Sequence, residues 1–561
     1  MLALAPLPAA QRDTPPADLV LRGGKIVTLD DDFGTVEALA VRGDRIAALG
    51  SDEEIAPWID TEATRVIELE GRLVVPGFIE GHGHFTGLGR ARQMLDLSRA
   101  SNWDEIVAMV ADAAAHAEPG VWILGRGWHQ EKWDRRPEGA VEGFPTHRAL
   151  SAASPDNPVC LTHASGHACF FNAKAMELAG VDASTEDPEG GEILTDESGV
   201  PTGVFRERAM ELVARVYAEE QAARSPEQLE ADLRRAIQIA DAECLSKGIT
   251  SFQDAGSSFE TLAVMRKMAV EGELGVRLWA MVRAENDELR RRLAEIRTIG
   301  LAENHFTVRA VKRSIDGALG SRGAWLLAPY ADAPNTSGLE TSSVESITET
   351  ARICAANDFQ LCVHAIGDRA NRETLDLFER VFEKVGRGKG RRWRIEHAQH
   401  LAPSDIGRFA ELGVIASMQT IHCTSDAPYV LARLGAERAE AGAYVWRKLL
   451  DSGTVVSNGT DTPVEDVDPI PCFTAAVTRR CKDGTRFFPS QRMTRMEALR
   501  SYTLDAAYAA FEEDLKGSLT PGKLADIVIL SQDLLTVPED RLLETSVVAT
   551  IVGGRVVWEA E

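Results

Sequence analysis

Hydrophobic and polar positions alternate in short runs at both ends of the chain. Residues 19–22, 25–28, 38–41 and 45–48 read as strands, with Gly23-Gly24 and Gly43-Asp44 supplying hairpin chemistry. The same signature returns at 522–530 and in a hairpin of 547–552, Gly553-Gly554 and 555–557. Two such distant segments can complete one small β-sandwich. Between them lie eight short apolar, β-rich runs: 78–84, 249–254, 276–282, a run ending at Lys312, a run ending at His364, a run ending at His397, 414–419 and 454–457. Thirty-three positions separate His364 from His397 and 64 separate His397 from Asp461, about one and two βα units of a ~250-residue eightfold barrel. The spacing therefore predicts a (β/α)8 barrel. The gap between the first and second runs is too long for one helix, so about 88–235 is an insertion with its own structure. It contains 121–124 and 158–162 as strand candidates, and it leaves from the C-terminal end of the first strand, where barrel active sites lie. Residues 224–247 read as an amphipathic helix returning to the barrel, with Leu229, Leu233, Ile237, Ile239 and Leu245 near the helical period.

Composition adds boundaries. At 561 residues the chain needs more than one domain or a large barrel with additions, and 44% hydrophobic with 26% charged residues is the make-up of a soluble globular protein. A formal net charge of -25 argues against nucleic acid as a partner. None of the eight cysteines forms a C-x-x-C pair, so reduced thiols in a cytoplasmic protein are the simplest account. The opening MLALAPLPAA lacks a basic start and carries two prolines, and it reads as an unstructured tail rather than a signal peptide. No run approaches the ~20 apolar residues of a membrane span, so no membrane partner is expected.

The chemistry lies at the ends of the predicted strands. In Gly81-His82-Gly83-His84 the two histidines are two apart, and strand positions i and i+2 share a face, so both can aim at one metal ion. Lys312, His364, His397 and Asp461 each end or follow a β-rich run at barrel spacing. Singly, each histidine reads as a satisfied core residue; together, in order, the set reads as a metal centre. The motifs PGFIEGHGH, VKRSIDGALGSR, HAIGDRA, RIEHAQH and SNGTDTPV resemble those of the metal-dependent amidohydrolase superfamily, in particular its YtcJ-like branch, to which N-substituted formamide deformylase is also similar. The resemblance runs from about Leu19 to the C-terminus. One departure is Glu80, where the superfamily usually carries Asp; that position is not normally a ligand.

The resemblance implies an α/β fold: a (β/α)8 TIM barrel at 77–511, flanked by a composite β-sandwich whose parts are 1–76 and 512–561. It implies His82, His84 and Asp461 on one divalent metal, His364 and His397 on a second, zinc in both places, and a bridging carbamate formed by CO2 on Lys312. An unmodified Lys312 paired with a carboxylate such as Asp316 is the alternative. The expected reaction is hydrolysis of an amide or related C–N bond (N-acyl, N-formyl or cyclic amide) by a metal-bound hydroxide, with Asp461 as general base and then general acid. Trp128 and His167 in the insertion, Arg322 after the fourth strand and His422 after the seventh are the candidates to touch a small-molecule substrate. A homodimer is the expected assembly. Two other functions stay open: a mononuclear aminohydrolase (deaminase), and a non-catalytic regulatory protein on the same fold.

Overall fold

The computed structural model describes residues 15–560 apart from 165, 167, 189–190 and 387–388. The N-terminal tail and His167 lie outside the described residues. At the centre are eight strands: β1 (Phe78–Gly83), β2 (Ile249–Ser257), β3 (Arg277–Val282), β4 (Phe306–Ser314), β5 (Gln360–Ala365), β6 (Arg394–His397), β7 (Ile415–Met418) and β8 (Val456–Asn458). Each pairs in parallel with the next, in chain order. The ends meet where β8 runs against β1: the Asp461 amide donates to the His82 carbonyl at 2.8 Å, and the His84 amide to the Thr462 carbonyl at 2.7 Å. Gly81 permits this approach, since a Cβ there would lie 2.4 Å from the Asn458 carbonyl oxygen. The (β/α)8 barrel is thus borne out strand by strand.

Alternation along the strands divides the core. Leu278, Val311, Leu361, Val363 and Ile395 are buried among the surrounding helices, while Trp279, Met281, Ala310 and Cys362 form a separate cluster with Ala510. Ala506 and Ala507 meet Ile79, so the segment around Leu504–Ala509 plugs the barrel's inner end. Polar groups are tied down there: Arg394 donates to Gln253 at 2.6 Å, and Gln253 to the Ala506 carbonyl at 2.8 Å.

Strands from the two ends of the chain share one sheet. Leu73–Pro76 pairs antiparallel with Ile527–Leu530, which continues into Val547–Val552 and Arg555–Glu559. A second sheet of Arg45–Gly50, Ala38–Arg42, Leu19–Arg22 and Arg65–Glu68 packs on it through Leu21, Leu39, Val41, Val74, Ile527 and Ile551.

The insertion builds a mixed six-stranded sheet in the order Gly191–Thr195, Pro201–Glu207, Ala168–Phe171, Val159–His163, Ile123–Trp128 and Leu95–Asp96. It returns through the helix Pro226–Ser246, begun by a capping box between Ser225 and Gln228. Among the described residues no helix is long and apolar enough to cross a membrane.

Candidate metal centre

The C-terminal ends of the barrel strands form a bowl lined by imidazoles. His82 is fully buried on β1, and its Nδ1 is bonded to Glu396 Oε2. That hydrogen bond fixes the tautomer, because Nδ1 carries the proton and Nε2 is left with its lone pair. His397 is set the same way: its Nδ1 lies 2.7 Å from Gln419 Oε1. The His82 and His397 ring centroids are 4.8 Å apart, and those of His364 and His397 are 4.4 Å apart. His84, just past the end of β1, brings Nε2 to 3.2 Å from Asp461 Oδ1, and His82 Nε2 is 3.5 Å from the same oxygen. Donor atoms of His82, His397 and Asp461 all lie within 4.8 Å of one another.

Backbone strain aims two of these groups. His397 has φ 75°, Ala398 φ 44° and Asp461 φ 57°, left-handed conformations that non-glycine residues keep only where the surroundings enforce them. The Asp461 turn is held by Glu80, whose Oε1 accepts from the Thr460 amide at 2.6 Å. Gly459 lets the turn lie flat on β1, because a Cβ there would be 2.5 Å from the His82 nitrogen. Glu80 is therefore a clamp on the β8 turn, and burial pushes its carboxyl well above the usual range.

The electrostatics are those of a largely buried, donor-rich site. Burial, with Lys312 close by, depresses His364 to about 3. Burial and the neighbouring His364 and His82 rings take His397 well below its ordinary value. Burial alone would raise Asp461, but the His84, His82 and His397 imidazoles hold it well below the carboxylate range. Lys312 is buried on β4, and its Nζ is 3.3 Å from His82 Nε2. Burial lowers its ammonium against the opposing pull of Glu396 and Asp461.

Asp316 is not the partner of Lys312. Its carboxylate accepts from the amides of Trp325 (2.9 Å), Ile366 (3.0 Å) and Gly367 (2.8 Å), pinning the loop after β4 to the end of β5. It also faces His364 Nε2 at 3.5 Å, and burial pushes it up to about 7.

The proposed substrate residues divide. His422 joins the centre: its ring lies parallel to His397 at 6.4 Å, its Nδ1 is 3.1 Å from Gln399 Nε2, and its Nε2 makes no hydrogen bond. Trp128 does not line a pocket. It is fully buried in the insertion's own core against Trp133 and Phe170, donating to the Leu161 carbonyl at 2.8 Å. Arg322 is committed to Asp332, to which it donates at 2.9 and 3.3 Å and which also pairs with Arg433. Sequence reasoning missed Glu396 and Gln419, which hold the His82 and His397 rings. Glu396 stands in the RIEHAQH motif itself, but strand alternation assigns it to the face opposite His397, and only the positive φ at His397 brings both to the bowl.

Comparison with known proteins agrees with this geometry. The model described as "Amidohydrolase family" matches residues 65–558. The chain is 35% identical over 564 residues to Protein LONG AFTER FAR-RED 3 of Arabidopsis thaliana, covering 97% of this chain and 92% of the relative. It is 28% identical to the putative amidohydrolase YtcJ of Bacillus subtilis (96% and 99% covered). It is 26% identical to N-substituted formamide deformylase of Arthrobacter pascens (97% and 98% covered). Among solved structures, an uncharacterized metal-dependent hydrolase from Pyrococcus horikoshii OT3 superposes with a TM-score of 0.75 at 27% identity, covering 93% of this chain and 99% of the other. The resemblance drawn from the motifs is borne out.

Proposed function

This chain belongs to the amidohydrolase family, and from that premise we propose that it hydrolyses amide or related C–N bonds of small molecules with the help of two divalent metal ions. The observation that carries the reading is the set of donors left open toward one bowl. His82 and His397 have their Nδ1 atoms occupied, His82 turns its Nε2 to the Lys312 amine at 3.3 Å, and among the described residues His364 Nε2 and Asp461 Oδ1 are buried and make no hydrogen bond. Buried polar atoms without partners are rare in folded proteins, and these are nitrogen and oxygen donors of the type that zinc takes. His82, His84 and Asp461 would hold one ion, and His364 and His397 a second. Lys312, kept toward its neutral amine by burial, would form a carbamate with CO2 and supply an oxygen to each. When bound, the ions would polarise the substrate carbonyl and acidify the attacking water.

The protein's own part is proton transfer and positioning. Asp461 takes the proton from water and delivers it to the departing nitrogen. Glu396 and Gln419 keep the imidazoles in register, and His422 contacts the bound substrate. The eight free thiols support a reducing, cytoplasmic setting. N-formyl and N-acyl amines are the first substrates to try, given the deformylase among the relatives. The test is elemental analysis of metal per chain for the wild type and Lys312→Ala, beside assays on those amides. Two ions in the wild type, a marked loss in the variant and amide hydrolysis are expected. One ion, unchanged by the substitution, would refute the bridged pair and turn the assignment to a mononuclear aminohydrolase.

A further inference from the structure

Two thiols of the insertion face each other across one strand pair. Val159–His163 and Ala168–Phe171 run antiparallel, with Cys160 opposite Phe171 and Thr162 opposite Cys169. Positions two apart on a strand share a face, so Cys160 and Cys169 are diagonal neighbours on one side of the sheet. Their sulfurs are 2.9 Å apart, inside the ~3.5–4.0 Å at which even carbon atoms pack. Other buried thiols turn to oxygen instead: Cys362 Sγ lies 3.8 Å from Gln360 Oε1, and Cys472 Sγ 3.9 Å from the Gly459 carbonyl oxygen.

The two thiols differ in access. Cys169 is buried in a cluster with Phe171, Phe205, Met176 and Val213, and burial pushes its thiol well above the ordinary range. Cys160 is half-buried at the edge of the same cluster. A soluble oxidant therefore meets Cys160 first, with Cys169 in contact behind it. One reachable sulfur and one covered partner are what thiol–disulfide exchange requires. The register also bears on how long a bond between them lasts. Diagonal partners in an antiparallel pair stand about 7–8 Å apart at Cα, whereas a relaxed disulfide spans about 4.4–6.8 Å. A bond across this diagonal is held stretched, and stretched disulfides are the easily reduced, regulatory kind rather than the structural kind. The cysteines are also only nine positions apart, so the bond closes a short loop and constrains the unfolded chain little.

We propose that Cys160 and Cys169 are a reversible redox pair, dithiol at rest and disulfide when a small disulfide such as oxidised glutathione is in excess. The Cys160 thiolate attacks one sulfur of the oxidant, forming a mixed disulfide and releasing one thiolate. The Cys169 sulfur then attacks Cys160 Sγ and displaces the second. Two protein thiols are oxidised, the oxidant is reduced to two thiols, and the two S–H protons end on the released pair. The bond ties the hairpin that carries His163, whose Nε2 is 3.2 Å from Gln130 Oε1 and whose ring meets Trp128 at 4.7 Å. The proposal is independent of the reaction performed in the bowl.

The test treats the reduced full chain with oxidised glutathione and then with excess reduced glutathione. Free thiols are counted in denaturant at each stage, and peptide mapping identifies the joined residues. The wild type is expected to lose two of its eight thiols, to yield one peptide pair joined at Cys160 and Cys169, and to recover both thiols on reduction. Cys169→Ser should stop with one glutathione held on Cys160, and Cys160→Ser should leave Cys169 unmodified. Retention of all eight thiols by the wild type overturns the proposal. So does a glutathione adduct on Cys160 that Cys169 fails to displace, or a bond that excess reduced glutathione does not open. These wild-type results decide the matter even where a serine variant does not fold.

Discussion

Replacing Glu396 by Gln isolates one contribution to the centre, the negative charge behind His82. Glu396 is fully buried, its Oε2 bonded to His82 Nδ1 and its Oε1 without a hydrogen bond. Burial by itself would raise the carboxyl, yet His82, followed by Arg394 and Lys312, carries it from 4.5 down to about 2. At ~1.4 kcal/mol per pH unit that net difference is roughly 3 kcal/mol, what remains of the pull of the three neighbours after burial has opposed it. A share of about 1–2 kcal/mol for His82 matches the gap between a charge-assisted hydrogen bond and a neutral one. Glutamine keeps an oxygen that can accept from Nδ1–H and loses only the charge, so the ring stays oriented while its Nε2 becomes a poorer donor. Zinc affinity should therefore fall about 5- to 30-fold at ~1.4 kcal/mol per decade, in line with other groups that support metal-bound histidines. Glu396→Ala, which also frees the ring, should lose more. The assay is competition for zinc against a chromophoric chelator at neutral pH, with the far-ultraviolet spectrum as a check on folding. Affinity within about twofold of wild type in both variants would refute the claim that this carboxylate tunes His82.

Asp461→Asn should cut turnover by roughly two to four orders of magnitude, the usual worth of a general acid–base group, in a protein that melts like the wild type; more than a few per cent of residual activity would remove Asp461 from proton transfer. His400 gives the protein an acid sensitivity separate from the metal ligands. Its ring lies edge-on to Tyr444 at 5.4 Å with no hydrogen bond at either nitrogen, and burial depresses it from 6.5 to about 3. The folded state keeps it neutral while the unfolded chain protonates, so its contribution is complete above pH ~6.5 and is lost as pH falls toward 3, at up to ~1.4 kcal/mol per pH unit. Chemical denaturation of wild type and His400→Leu across that range should show the steeper decline in the wild type, and parallel curves would refute the assignment.

The candidate ligand set could be assembled from the chain because barrel strands deliver such residues at their own ends, and the structure brings donor atoms of His82, His397 and Asp461 within 4.8 Å of one another. Strand alternation and βα spacing are local properties, so the β-rich runs could be matched to strands without knowing their neighbours. Boundaries shifted only slightly, as where β4 continues two residues past Lys312. What pairs across strands was not legible. The Glu396–His82 bond joins positions 314 apart in the chain, and the positive φ at His397 breaks the alternation by which Glu396 would have been assigned a face. The insertion was the hardest part for a related reason. Ala168–Phe171 is an apolar run buried along its whole length, and Pro201–Glu207 carries a proline and a glycine that argue against a strand. Nothing in an aromatic residue's identity says whether it will face a pocket or a core, and Trp128 went to the core. The barrel thus fixes which atom types can meet a metal, through residues spread over β1, β4, β5, β6 and the turn after β8. The insertion leaves the barrel after β1, at the end where the candidate ligands stand, so variation in substrate choice among relatives of this chain should concentrate in residues 88–235 while the candidate ligand positions stay fixed.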